Sequence, residues 1–124
     1  MMRRIAIVAL ALGLAACNND STSPSGAISG TYALRTVNGS SLPYTFSDGS
    51  RLTSDVLTLY NDGTYSDAAQ FSDGTVSNEQ GFWSNVNGAI TFDDTTDNIQ
   101  YQGSLSGNVL TEIFQGLTET YQRQ

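Results

Sequence analysis

Twelve carboxylic acids, three arginines and neither histidine nor lysine make up the charged side chains beyond position 4, which narrows the chemistry open to this chain. Without histidine, the usual general base and the commonest metal ligand are both missing. No serine has a plausible base to take its proton. Carboxyl chemistry remains: paired acids hydrolyse glycosides, and clustered oxygens hold calcium. The run Asp93-Asp94-Thr95-Thr96-Asp97 packs three acids into five residues. It lacks the central glycine and distal glutamate of an EF-hand loop and reads as a solvated hairpin turn. Asp48, Asp62, Asp73 and Asp93 lie in or beside expected turns, where acids are ordinary turn formers. Asp55, Asp67, Glu79, Glu112 and Glu119 fall within expected strands, and nothing in the sequence pairs them. The expectation is therefore no enzyme, no cofactor and no metal site.

The single cysteine, Cys17, follows a leader. Arg3 and Arg4 form a short basic start, and Ile5 to Ala16 is an uncharged, mostly apolar run. Crossing a bilayer takes about 20 apolar residues, so the run has the proportions of a signal-peptide core. Leu14-Ala15-Ala16-Cys17 resembles the lipobox of bacterial lipoproteins. That resemblance implies cleavage before Cys17, a diacylglyceryl thioether on its sulfur, and acylation of the new amine by a fatty acid such as palmitate. Two or more acyl chains anchor stably where one does not, so the cysteine becomes a tether and the odd thiol disappears. Residues 1–16 then form the signal peptide, 17–28 the lipidated cysteine with a flexible polar linker, and 29–124 the folded domain. Asn18, where enteric lipoproteins kept in the inner membrane carry aspartate, points to the outer membrane. After cleavage, three arginines face twelve acids, a formal charge of −9. Such a surface repels phosphate backbones, which excludes nucleic acid as a partner. Contact with the membrane is expected through the lipid alone.

About 100 residues suffice for one hydrophobic core. From Gly30 onward, turn signals recur at Asn38-Gly39, Asp48-Gly49, Asp62-Gly63, Asp73-Gly74, Asn87-Gly88, Ser106-Gly107-Asn108 and Gln115-Gly116. Asn-Gly and Asp-Gly tolerate positive φ and favour tight hairpins. Between them lie short segments rich in Thr, Tyr, Val, Ile and Phe, with no helical periodicity. Leu57 and Leu59 share a face, as do Ile90 with Phe92, Tyr101 with Leu105, and Leu110 with Phe114. The opposite faces are read as Thr, Ser, Gln and Asp, the alternation of an antiparallel sheet with one wet side. Short connections pair sequence neighbours. The expected fold is all-β, a small antiparallel up-and-down barrel of eight or nine strands. Closure removes exposed edges; an antiparallel β-sandwich is the alternative.

Gly30-Thr31-Tyr32 at the first strand and Arg123 near the end of the last resemble the lipocalin-like (calycin) pattern. There a Gly-x-Trp packs against an arginine; here tyrosine takes the tryptophan's place. "GTYALRTVNGSSLP" and "GFWSNVNGAITF" also resemble segments of small bacterial lipocalin-like lipoproteins. The resemblance implies barrel closure by Tyr32 and Arg123. It also implies a small apolar or amphipathic ligand, with Tyr32, Trp83, Phe92 and Tyr101 as candidate contacts. Trp83 adjoins Phe82 in one strand, so one of the two faces inward. The competing expectation is an envelope interaction or inhibitor module with a solid core.

Overall fold

The computed structural model describes residues 28–124. The leader over 1–16, Cys17 and the linker up to residue 27 lie outside the described residues. Ten strands follow: β1 Gly30–Val37, β2 Ser40–Ser41, β3 Tyr44–Thr45, β4 Arg51–Leu59, β5 Thr64–Phe71, β6 Val76–Val86, β7 Ala89–Asp94, β8 Ile99–Ser106, β9 Val109–Phe114 and β10 Leu117–Arg123. Among the described residues, no helix is long and apolar enough to cross a membrane.

Two kinds of turn make most of the connections, and each follows from its residues. At Asn38-Gly39, Asn87-Gly88 and Gln115-Gly116 both residues take positive φ, as a two-residue hairpin matched to strand twist requires. At Asp48, Asp62 and Asp73 only the following glycine does so. There the aspartate Oδ1 accepts the amide two residues on, from Ser50, Thr64 and Thr75, at 2.9–3.0 Å. These exposed acids hold turns.

Each long strand runs antiparallel to its neighbour from β4 through β10, β10 pairs with β1, and β1 pairs with β4. Eight strands thereby close a barrel, with β2 and β3 as two-residue extensions on the connection between β1 and β4. The β1–β4 pairing rules out the sandwich. Register slips between Leu34 and Thr36 in β1 and between Leu52 and Ser54 in β4. Each slip switches which face the next residues occupy, so Leu34 with Val37, and Leu52 with Asp55, all point inward. Between β6 and β7 the backbones come unusually close: a Cβ on Gly81 would lie 1.9 Å from the Asp93 carbonyl oxygen.

The barrel has two unlike poles. One is packed solid by Tyr32, Leu57, Leu59, Ile90, Phe92 and Leu110, all essentially fully buried. Trp83 faces inward and donates its indole N–H to the Tyr60 carbonyl at 3.0 Å, while Phe82 points outward at 55 % exposure. Arg123 closes this pole. Its guanidinium donates to the Ser29 carbonyl at 2.6 Å and lies 5.7 Å from the Tyr32 ring centroid, and the Tyr32 hydroxyl donates to the Ile28 carbonyl at 2.5 Å. Arg123→Ala removes a charge-assisted hydrogen bond and a stacking cation, together worth about 2 kcal/mol. Calorimetry is expected to show a Tm lower by about 10 °C. Lysine there recovers only part of the loss, because its point charge cannot reproduce the planar fork.

At the other pole the barrel opens beneath the connection carrying β2 and β3. Phe46 lies edge-on to Tyr44 at 5.0 Å and 6.5 Å from Phe71, so an aromatic cluster leans over the opening.

Candidate functional site

Strand alternation carries acids into the barrel at the open pole. Asp67 follows Tyr65 on the inner face of β5, Glu112 sits between Leu110 and Phe114 on β9, and Glu119 precedes Tyr121 on β10. Asp55 enters from β4 after its register slip, and Glu79 from β6. These five acids, Phe46, Leu52, Phe71, Tyr101 and Phe114 bound a half-open cavity of about 140 Å³. Floor and rim divide the labour: carboxyls lie between the packed pole and the aromatic mouth. Tyr101 stacks on Phe92 at 4.9 Å, meets Phe114 edge-on at 4.9 Å, and donates its hydroxyl to that of Tyr65 at 3.3 Å.

Among the described residues, no cation neutralises these acids from the cavity wall. Arg35 and Arg51 are exposed, and Arg123 binds Ser29 and Tyr32 at the opposite pole. The Tyr121 hydroxyl donates to Asp55 Oδ2 at 3.0 Å and lies 3.4 Å from Glu119 Oε1. Glu112 Oε2 is buried with no hydrogen-bond partner, and Asp55 Oδ1 and Asp67 Oδ1 are buried with none outside their own pair. Carboxyls in such a place hold their protons. Burial pushes Glu112 well above the usual range, helped by the charges of Glu119, Asp55 and Glu79. Asp67 leaves some surface exposed, yet its Oδ1 is buried. It too is held well above its ordinary value by burial, then by its hydrogen bond to Asp55. Burial raises Asp55, against hydrogen bonds from Asp67 and Tyr121 that pull it down. Glu119 is pushed up to about 7 by burial and Asp55.

A second carboxyl group adjoins the first. Glu79 of β6 meets Asp94 and Asp97, with one oxygen of each inside a 4.8 Å circle. Asp94, taken from the sequence for part of a solvated turn, is only 2 % exposed. It ends β7 on the inner face, and its Oδ1 accepts the amides of Thr96 and Asp97 at 2.8 and 3.0 Å. Glu79 is pushed up to about 8 by burial, then by hydrogen bonding to Asp97 and the charge of Asp94.

Of the four residues singled out from the sequence as ligand contacts, only Tyr101 lines the cavity. Tyr32 and Trp83 belong to the packed pole, and Phe92 lies beneath Tyr101 as its support. The acids, expected within strands but left unpaired by the sequence, are the side chains the barrel brings together. One signal marked them: Glu112 shares parity with Leu110 and Phe114, and Asp94 with Ile90 and Phe92, two positions apart on strands of period two.

No family model matches the chain, and no curated protein matches it significantly. Among solved structures, a lipocalin-like protein from Bacteroides uniformis superimposes with a TM-score of 0.53 at 15 % identity. The match covers 77 % of this chain and 97 % of that one. The likeness is one of fold: the closed antiparallel barrel described here is lipocalin-like.

Proposed function

We propose that this barrel binds a small amphipathic molecule at its open pole, as a binding protein rather than an enzyme, held to a bacterial cell envelope by a lipid on Cys17. The carrying observation is the cavity itself. A solid-core interaction module has no need of a hollow of about 140 Å³ with aromatic walls at its mouth. An apolar cavity of similar size, about 150 Å³, holds benzene, so the ligand's enclosed part is one ring or a short chain. A long acyl chain does not fit inside. The anchoring rests on Leu14-Ala15-Ala16-Cys17 and the apolar run before it.

Titration of the protein with ring and alkyl compounds of increasing length, followed by NMR shifts of Tyr101 and Phe114, is expected to give saturable one-to-one binding. Affinity should stop rising beyond about eight to ten heavy atoms, as the enclosed space fills. If no compound perturbs these residues, the cavity is not a binding site. Mass spectrometry of native protein tests the anchor, since an unmodified thiol at Cys17 would remove it.

A further inference from the structure

The interior acids face a cavity that, among the described residues, no basic side chain lines. Glu112 is 2 % exposed, faces the cavity, and leaves Oε2 without a hydrogen-bond partner. Asp55 Oδ1 and Asp67 Oδ1 beside it are buried, and the two carboxyls are hydrogen-bonded to each other. A buried atom without a partner costs stability, and one aimed into a half-open hollow among four further acids marks a site rather than packing debris. Resting on the reading that this hollow binds a small ligand, we infer that the ligand is a small organic ammonium ion with a single ring or short chain as its apolar part.

The lining sorts the candidate ligands by chemistry. An ammonium group has three donors and no acceptor, the complement of acids set around the floor. The apolar part then meets Phe71, Tyr101 and Phe114, whose ring faces also attract a cation. An anion would meet five acids and no basic side chain. A bare metal ion would have no use for the aromatic walls. Among the described residues, moreover, the carboxyl trio spaced for a metal is Glu79, Asp94 and Asp97, not the set around Glu112.

Docking has a proton balance. Before binding, the floor acids keep protons; as the ammonium arrives already charged, one or more carboxyls ionise to pair with it, and those protons leave to solvent. The groups facing the ligand are Asp55, Asp67, Glu79, Glu112 and Glu119, with the hydroxyls of Tyr65, Tyr101 and Tyr121 behind them. Affinity for an amine that stays protonated should therefore rise from pH 5 to 8, the direction in which the acids release protons.

Calorimetric titration of the protein with benzylamine, benzyl alcohol and benzoate, matched in size and differing in charge, tests the inference in two buffers of unlike ionisation enthalpy. Benzylamine is expected to bind at least tenfold more tightly than benzyl alcohol, to release protons, and to weaken tenfold or more in Glu112→Gln and in Glu119→Gln. Both variants keep the side-chain shape and are expected to stay folded. Equal binding of alcohol and amine overturns the charged ligand while leaving the small-ligand cavity intact, as does tighter binding of benzoate. Silence from all three overturns both. Binding of calcium, lost in Glu112→Gln and without any binding of benzylamine, would show the floor to be a metal site and overturn the amine.

Discussion

Gly81→Ala is expected to remove much of the barrel's stability, although it adds one methyl group. The new Cβ would sit 1.9 Å from the Asp93 carbonyl oxygen, 2.9 Å from its carbon and 3.1 Å from the Asp94 Cα. All three are backbone atoms of the paired strand, so no rotamer relieves the clash. Relief requires β6 and β7 to separate where Gly81 pairs with Asp94, and in a closed barrel that strain reaches every strand. Overpacking a core commonly costs about 1–3 kcal/mol; with backbone as the obstacle, about 4 kcal/mol or more is expected. Domains of this size hold only about 5–15 kcal/mol in all. Phe82→Ala, one residue along and exposed, should cost less than about 1 kcal/mol. Urea midpoints of the two variants decide the matter, and near-equal midpoints would mean that β6 and β7 part there without cost.

The second large effect is an inverted pH profile. Unfolded, Glu112 and Glu119 titrate near 4.5 and Asp67 near 3.8. Folded, Glu119 lies at about 7, and Glu112 and Asp67 stand well above their ordinary values. Between those limits the native barrel holds protons that the unfolded chain has lost, so stability falls as pH rises. The contribution is whole below about pH 4 and disappears as pH climbs through the folded values. At the acid end the trend reverses. Hydrogen bonds from Ser50, Thr64 and Thr75 lower Asp48, Asp62 and Asp73, whose turns weaken as those acids protonate. The maximum should fall near pH 4–5; Glu119 alone, raised from 4.5 to about 7, takes away about 3 kcal/mol by pH 8 at about 1.4 kcal/mol per pH unit for one group, and Glu112 and Asp67 deepen the loss. Glu112→Gln should flatten that decline. Denaturant titrations across pH 3–9 measure it, and stability that grows from pH 5 to 8 would contradict a proton-loaded interior.

Much of the architecture was legible because local and global signals agree. The Asn-Gly and Asp-Gly pairs marked turns that the structure contains, and the Thr-, Tyr-, Val-, Ile- and Phe-rich segments between them became strands. Closure was expected from edge avoidance, and the β1–β4 pairing supplies it. The acidic floor was missed for a physical reason. A carboxyl in a strand is ordinarily read as solvated, because burying it unpaired is costly, and that prior overrode the parity of Glu112 and Asp94. Asp55 was harder to place, because a slip in β4 turned it inward and alternation alone does not show where a strand skips a residue.

The polarity of the barrel has a consequence for how it presents itself. Ser29 joins the first strand beside Arg123, at the sealed pole. The chain therefore enters the barrel at the end away from the cavity, and an attachment made upstream of Ile28 would leave the mouth uncovered.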